Sequence, residues 1–480
     1  MGEKRYRHLL FLLISFVFVA LFSRATSFLY AFEGGDPALF KQMGLALLQG
    51  KTLYTELFDN KGCLLYLIQA VGLALGGNFA ILLLQTLSLT FTLVIWDKTL
   101  ALRHAPRQRN LILGLLGVLL LAFYYNGDLS EEWCLPLVSL PIYLFLRDRL
   151  KPWQWLVSGI CFGLIAFIRV NNACAMIGFV VYALAVMLRE RQWNDFIKAI
   201  GCFLSGAVLI AVLCIGWFYF KAGWSGVDEM LYATFTSNFE YIGLRFYPTW
   251  HALMAYGLIL VLSIVLTIIN AREEKDLLIP ALIGYACFAF GFGTCCFVHY
   301  LMALLPLVVV LFLSFKPEKA RTNRKIAWVT AVPILYYLAY PIGLLGSEVI
   351  LGNDPYKHVY AQFHEVVKEM PEVERSQIYV YNLSGLGSGM MQHEGLLRCN
   401  RIFYWPQHQL PRLLKEQAER PAITPQWIMM SWDRPYELND SLFISQGYEM
   451  QYHFTADLRY LKRPIQLGNQ EEICLYRIKQ

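Results

Sequence analysis

The chain has 480 residues, of which 57% are hydrophobic and 16% charged, against about 25% charged in a soluble protein. That balance, with a mean hydropathy of +0.45, excludes an ordinary soluble domain and points to a protein that crosses a bilayer many times. The net charge of +6 does not mark a nucleic-acid binder, because the basic residues sit in short clusters between apolar runs, where they set orientation.

The chain opens Met1-Gly2-Glu3-Lys4-Arg5-Tyr6-Arg7 and then turns apolar. Arg24 to Phe32 offers no small-residue cleavage site, so this run reads as an uncleaved first span, 8–29. Further apolar runs cover 79–100, 110–125, 133–146, 153–169, 173–188, 197–220, 250–269, 277–295, 298–313 and 326–345. Another, 62–76, has 15 residues, which is short for a hydrocarbon core. Basic residues decide its place. They cluster at Lys4/Arg5/Arg7, Arg103/Arg107/Arg109, Arg147/Arg149/Lys151, Arg189/Arg191, Arg272 with Lys275, and Lys316/Lys319/Arg321/Arg324/Lys325. All fall on the cytoplasmic side if 62–76 lies flat at the interface. The sequence therefore predicts eleven transmembrane helices, with the N-terminus cytoplasmic and the C-terminus outside.

That arrangement gathers the unusual polar residues on the outer face. They lie in the loop 30–78, Asn126–Trp133, the loop 221–249, the turns Arg169–Asn172 and Cys296–His299, and the tail from about 346. Polar groups beside a bilayer are costly unless they serve something. Asp36 starts the first outer loop between Gly34-Gly35 and Pro37. It suits a general base, and equally a cap for a helix over Ala38–Leu48. Asp128, Glu131 and Glu132 form an acidic second loop. Ser130 could cap the next helix there, or a carboxylate could face Asp36, orient an acceptor and hold a divalent cation. Lys61 could meet a lipid phosphate or simply snorkel. Asp59 lies beside it. Arg169 with Asn171-Asn172 interrupts an apolar stretch, Arg245 and Glu240 lie in a long loop suited to a lid, and His299-Tyr300 opens the tenth span.

The tail, 346–480, reads as a small α/β domain beyond a membrane part of residues 1–345. Ile378–Tyr381, Trp427–Trp432 and Glu472–Ile478 read as strands, and Tyr356–Met370 and Pro411–Arg420 as helices, the first started by Asp354-Pro355. Gly385, Gly387 and Gly389 fit a glycine-rich turn better than a dinucleotide fingerprint. Of the eleven cysteines, most sit in apolar runs as small hydrophobes, Cys295-Cys296 among them. Cys399 and Cys474 could pair if the tail is outside.

Together, the Asp36 region, Gly50-Lys51-Thr52-Leu53-Tyr54, the run Phe58-Asp59-Asn60-Lys61-Gly62-Cys63-Leu64-Leu65-Tyr66, the acidic second loop and the outer tail resemble the GT-C superfamily. They resemble especially the bacterial relatives of protein O-mannosyltransferases and of the lipid A aminoarabinose transferase, glycosyltransferase family 39 and its kin. The family carries an Asp in the first outer loop and a Lys-Pro-Pro-Leu-like run some 25–30 residues on; Asp36 and Lys61 are 25 apart. Gly62-Cys63 departs from the Pro-Pro of that run. The resemblance implies juxtamembrane helices in the first outer loop, a polyprenyl-phosphate-linked sugar donor and an envelope acceptor (lipid, glycan or protein). It implies inverting transfer with Asp36 as base and Lys61, Arg169 or Arg245 on the phosphate. It leaves a divalent cation optional. The competing reading is a transporter or flippase of lipid-linked glycans, which would place polar residues near the midplane.

Overall fold

The computed structural model describes residues 2–479 apart from 27, 32, 148–149, 243–249, 293–296, 315–330, 332–333, 340, 383–384, 403–409, 420–423, 433–439 and 458–469. Twelve helices precede the tail among the described residues: α1 (Gly2–Phe22), α2 (Gly35–Leu48), α3 (Cys63–Leu100), α4 (Pro106–Tyr124), α5 (Ser130–Arg147), α6 (Pro152–Arg169), α7 (Cys174–Arg189), α8 (Trp193–Leu231), α9 (Ser237–Ile242), α10 (Trp250–Ala271), α11 (Lys275–Phe292) and α12 (Leu305–Leu313). Five stretches are long and apolar enough to cross a membrane: Cys63–Leu100, Pro106–Tyr124, Pro152–Arg189, Trp193–Glu240 and Lys275–Phe292. The count becomes six only if the bent pair Ile334–Ile350 and Pro355–Glu369 is taken as one span. The helices Tyr6–Phe22, Gly257–Ala271 and Val298–Leu313 are apolar but shorter. Pro152–Arg189 holds two of the expected spans, divided where Arg169 turns extended (φ −166°, ψ 106°) ahead of the 3₁₀ turn Val170–Ala173. Residues 326–330, 332–333 and 340 of the expected span 326–345, and the pair Cys295-Cys296, lie outside the described residues.

The run 62–76 is indeed set apart from 79–100. The long α3 breaks at Gly76 and Gly77, and Gly77 takes φ 63°, ψ −140°, a conformation open to residues without a Cβ. Arg7 and Arg109 both bond Asp97, at 2.6 and 3.2 Å, and Arg103 pairs with Glu274. The N-terminal, Arg103–Arg109 and Arg272–Lys275 clusters therefore share one end of the bundle, as the charge alternation predicts.

At the other end, α1 stops earlier than expected, at Phe22. Arg24 is buried there and needs an anion. It meets Glu348 at 2.7 Å, with both side chains at 1% exposure or less, and its guanidinium lies over Tyr30 and Tyr356. This pair ties the first outer loop to the tail. Nearby, Asp354 accepts from the Ala31 amide at 3.0 Å and caps α13 (Pro355–Glu369) through the Tyr356 amide at 2.9 Å.

In the tail, α13 buries Tyr356, Val359, Tyr360, Phe363 and Val367, spaced as one helical face. They pack on a four-stranded sheet in the order β1-β2-β4-β3, formed by β1 (Ile378–Asn382), β2 (Trp427–Trp432), β3 (Tyr448–Asp457) and β4 (Gln470–Ile478). β1 runs parallel to β2, and the other pairs are antiparallel. The three predicted strands are present. β3 was not predicted, although Tyr448, Met450, Tyr452, Phe454 and Ala456 alternate as a strand should. The glycines at 385–389 form a helix rather than a turn, α14 (Gly385–His393), which packs on α2, with Gln42 donating to the Ser388 carbonyl at 3.4 Å. The last predicted helix is α15 (Pro411–Glu419). No disulfide joins Cys399 and Cys474: Cys399 is exposed, while Cys474 is buried between β2 and β3.

Arg24→Met should destabilise the protein by about 3 to 5 kcal/mol, because it strands the Glu348 carboxylate in an apolar pocket, and Arg24→Met with Glu348→Leu should recover most of that loss. Thermal unfolding in detergent compares the two.

Candidate active site

The site is built on the end of α6. The Gly62 amide donates to the Ile168 carbonyl at 2.9 Å, one residue before Arg169. A Cβ on Gly62 would stand 2.0 Å from the Phe167 carbonyl oxygen, so no other residue allows this approach. A proline there would also lack the N–H, which explains the departure from a Pro-Pro run. Lys61 is held on both sides. Its carbonyl accepts from the Tyr54 hydroxyl at 2.9 Å and its amide donates to the Tyr66 hydroxyl at 3.3 Å. Its ammonium donates to Asn60 Oδ1 at 2.9 Å and lies 5.9 Å from the Phe40 ring centroid. Among the described residues no carboxylate pairs with it.

Arg169 closes α6. Its Nη1 donates to Glu131 at 2.8 Å, with the two side chains 6% and 1% exposed. The guanidinium lies 4.4 Å from the Tyr300 ring centroid and 5.5 Å from that of Phe292. Its Nε is buried without a hydrogen-bond partner among the described residues. A buried donor left unpaired costs about 1 to 3 kcal/mol, so this N–H is a place where a ligand would be welcome. His299 is buried between the rings of Tyr125, Phe297 and Tyr300, within electrostatic reach of Asp36, Arg169 and Lys61.

Asp36 faces this group from the first turn of α2. Gly34, not Asp36, takes the cap position of that helix, and no side chain caps it. The Asp36 carboxylate is half-buried, interacts with the Arg169 charge and receives no hydrogen bond from the described residues. A carboxylate at a helix N-terminus is favoured by the dipole, and here its oxygens remain open to a ligand.

Three expected residues point elsewhere. Asp59 accepts from Tyr66 at 2.6 Å. Glu132 accepts from the Tyr124 hydroxyl at 3.0 Å and the Asp128 amide at 2.7 Å, so it braces its own loop while Glu131 faces Arg169. Asp128, at φ 53°, accepts from Gln69 at 2.7 Å and Trp133 at 2.8 Å. Burial pushes its carboxyl up to about 7, against the opposing pull of the Lys41 ammonium. Glu240 accepts from Tyr232 at 2.8 Å. Arg245 lies outside the described residues. No three His, Cys, Asp or Glu side chains converge to hold a metal ion among the described residues; Glu131 is committed to Arg169, and Glu132 to Tyr124 and the loop amide.

Beneath Asp36 is a buried polar layer that was not singled out from the sequence. The Lys41 ammonium meets Glu33 at 3.0 Å and Asn78 at 2.6 Å, and also reaches the Ala25 carbonyl. Glu33 and Lys41 flank Asp36 on either side, and Asn78 follows the Gly76-Gly77 break. Only the charges in an apolar neighbourhood signal this layer in sequence.

The fold is shared with a solved membrane protein. ArnT from Cupriavidus metallidurans, bound to undecaprenyl phosphate, superposes with a TM-score of 0.61 at 13% identity over 99% of this chain and 98% of that one. The chain shares the ArnT fold. The apo state of ArnT superposes as well, with a TM-score of 0.61 at 12% identity. A likeness to the archaeal oligosaccharyltransferase AglB from Archaeoglobus fulgidus, in complex with an inhibitory peptide and a dolichol-phosphate, has a TM-score of 0.45 at 13% identity over 90% of this chain and 70% of that one. It is too low to carry a conclusion. No family model and no curated protein matches the sequence. The likeness thus rests on tertiary structure, and the fold that the resemblance implied is the one observed.

Two measurements check the geometry. Gly62→Ala should lower stability by about 1 to 3 kcal/mol, as overpacking does, seen as a fall in the melting temperature in detergent. Asp128 has its folded value raised from 3.8 to about 7, so the stability it contributes is fully present below about pH 4 and lost as pH rises through about 7. The melting temperature should fall over that interval, and Asp128→Asn should flatten the fall; an unchanged slope would contradict the assignment.

Proposed function

We propose that this chain is a membrane glycosyltransferase that moves a sugar from a polyprenyl-phosphate-linked donor to an envelope acceptor, a lipid, glycan or protein, with inversion at the anomeric carbon. The observation that carries the reading is the open carboxylate of Asp36, facing a cationic group made by Lys61 and Arg169. The GT-C fold supports it, since ArnT with that fold was solved with undecaprenyl phosphate bound.

Asp36 takes the proton of the acceptor hydroxyl or amine. The acceptor atom attacks the anomeric carbon from the face opposite the phosphate. The bond from that carbon to the phosphate oxygen breaks, and the electron pair stays on the lipid phosphate. Lys61 stabilises the charge that develops there, helped by the spare Nε–H of Arg169. Glu131 holds Arg169 in place. His299 and Tyr300 wall the site, and the partners of Glu132, Asp128 and Asp59 give them bracing roles. Arg245, in the stretch 221–249 that the sequence reads as a loop, would join as a further phosphate ligand. The reading keeps eleven spans, with the N-terminus cytoplasmic, residues 1–345 as the catalytic part and residues 346–480 as a domain outside a bacterial plasma membrane.

Purified protein, given a polyprenyl-phosphate sugar and a panel of acceptors, tests this. Asp36→Asn should lower kcat by about 10² to 10⁴, and Lys61→Ala should raise the KM for the donor. Full transfer by Asp36→Asn sinks the base assignment, and lipid-linked sugar flipping without transfer would favour a transporter.

A further inference from the structure

Lys61 is placed by a neighbour that its own loop does not contain. Its ammonium donates to Asn60 Oδ1 at 2.9 Å, so the direction of the lysine depends on the rotamer and backbone of Asn60. The Asn60 carbonyl, in turn, accepts at 2.9 Å from Nδ2 of Asn238, which lies 178 residues away in sequence. Asn60 and Asn238 are each 6% exposed. The Asn238 amide also reaches the carbonyls of Thr234 at 2.9 Å and Ala233 at 3.3 Å. Those two carbonyls belong to a π-helical turn, Tyr232–Thr236, between α8 and α9. Such turns are rare, and they are frequent at functional sites.

The π turn is clamped from the far side. The Arg412 guanidinium lies 4.5 Å from the Tyr232 ring centroid, and Arg412 pairs with Glu229 at 2.6 Å. Tyr232 packs against Phe58 at 6.0 Å between ring centroids, and the Phe58 amide donates to the Arg401 carbonyl at 3.0 Å. The turn is therefore a rigid block rather than a loose loop, and Asn238 is the side chain through which it grips the backbone beside Lys61.

We propose that Asn238 is a positioning residue for Lys61. It fixes the Asn60 peptide, so that Asn60 Oδ1 aims the ammonium at the space in front of Arg169 and Asp36, where the anionic head of a polyprenyl phosphate would sit. This rests on the reading of Lys61 as the phosphate ligand. It adds a residue 178 positions from Asn60 in the chain, whose removal acts on phosphate affinity through Lys61 alone. Asn238 touches neither reacting atom, so any effect on the chemical step also runs through Lys61.

A double-mutant cycle on the full-length protein in detergent tests this, with undecaprenyl phosphate as the probe in a direct binding titration. Asn238→Ala should weaken binding about tenfold, the size of one well-placed hydrogen bond to a charged group. In the Lys61→Ala background the same change should have almost no further effect. With a donor sugar, KM should rise, and any fall in kcat should vanish in the Lys61→Ala background as well. Asn238→Ser, too short to reach Asn60, carries the same expectation if the alanine variant does not fold. Unchanged affinity in Asn238→Ala overturns this inference alone. A tenfold loss that persists in the Lys61→Ala background also overturns it, since it would mark a general structural role. Unchanged affinity in Lys61→Ala overturns the phosphate assignment of Lys61 and this inference with it.

Discussion

Everything in the candidate site depends on the docking of one glycine on the end of one helix. The Gly62 N–H reaches the Ile168 carbonyl, and the missing Cβ lets the chain lie on the Phe167 peptide. Carbonyls at a helix C-terminus have no partner within the helix, so α6 offers acceptors where the first outer loop arrives. The contact joins two segments about a hundred residues apart, and it sets Lys61 beside Arg169. Without it the lysine would be one more charge at the edge of the bundle.

Around that contact the charges follow the rule for an apolar interior: a buried ion is paired or hydrogen-bonded. Arg169 has Glu131, Lys41 has Glu33, and Arg24 has Glu348. The first of these pairs takes up two of the residues that looked functional from the sequence alone, Arg169 and Glu131. Asp36 and Lys61 differ, because each is only partly buried and neither meets an opposite charge in a salt bridge among the described residues. Under the proposed function that difference is the point. A base and a phosphate ligand must keep atoms open, and the surrounding pairs hold them without occupying them. The tail contributes through the same economy, since Arg398 and Arg401 bond the backbone of Phe58 and Tyr54 from outside the loop.

Much of this was legible before any coordinates. The basic clusters separated 62–76 from 79–100, and the shared end of Arg7, Arg109 and Asp97 agrees. Period and turn signals found three of the four strands and the cap at Asp354. The strand Tyr448–Asp457 escaped although its alternation was present, because Glu449, Gln451 and His453 dilute it and two of its five apolar positions, Met450 and Tyr452, stay exposed. Gly385–His393 was misread because glycine spacing suggests a turn, while packing on α2 selects a helix. The pairing of Asp36 and Lys61 was visible as a spacing within one loop. Which of Glu131 and Glu132 faces that site was not, since neighbouring residues on a helix point about 100° apart and only the packing of α5 on α6 chooses between them.

By itself, then, the sequence determined the membrane class, the shared end of three of the charge clusters, and the loop that holds Asp36 and Lys61. Those follow from local rules: transfer of apolar runs out of water, the cost of charge in hydrocarbon, and short-range spacing. The tertiary structure alone decided that Arg169 is shared with Glu131, that Asp128 and Glu132 brace a turn, and that Asn238 reaches Asn60. Each of those depends on which partner satisfies a buried polar group. A partner far along the chain leaves no trace in the local pattern, because any of many distant groups could supply the same hydrogen bond until the helices are packed.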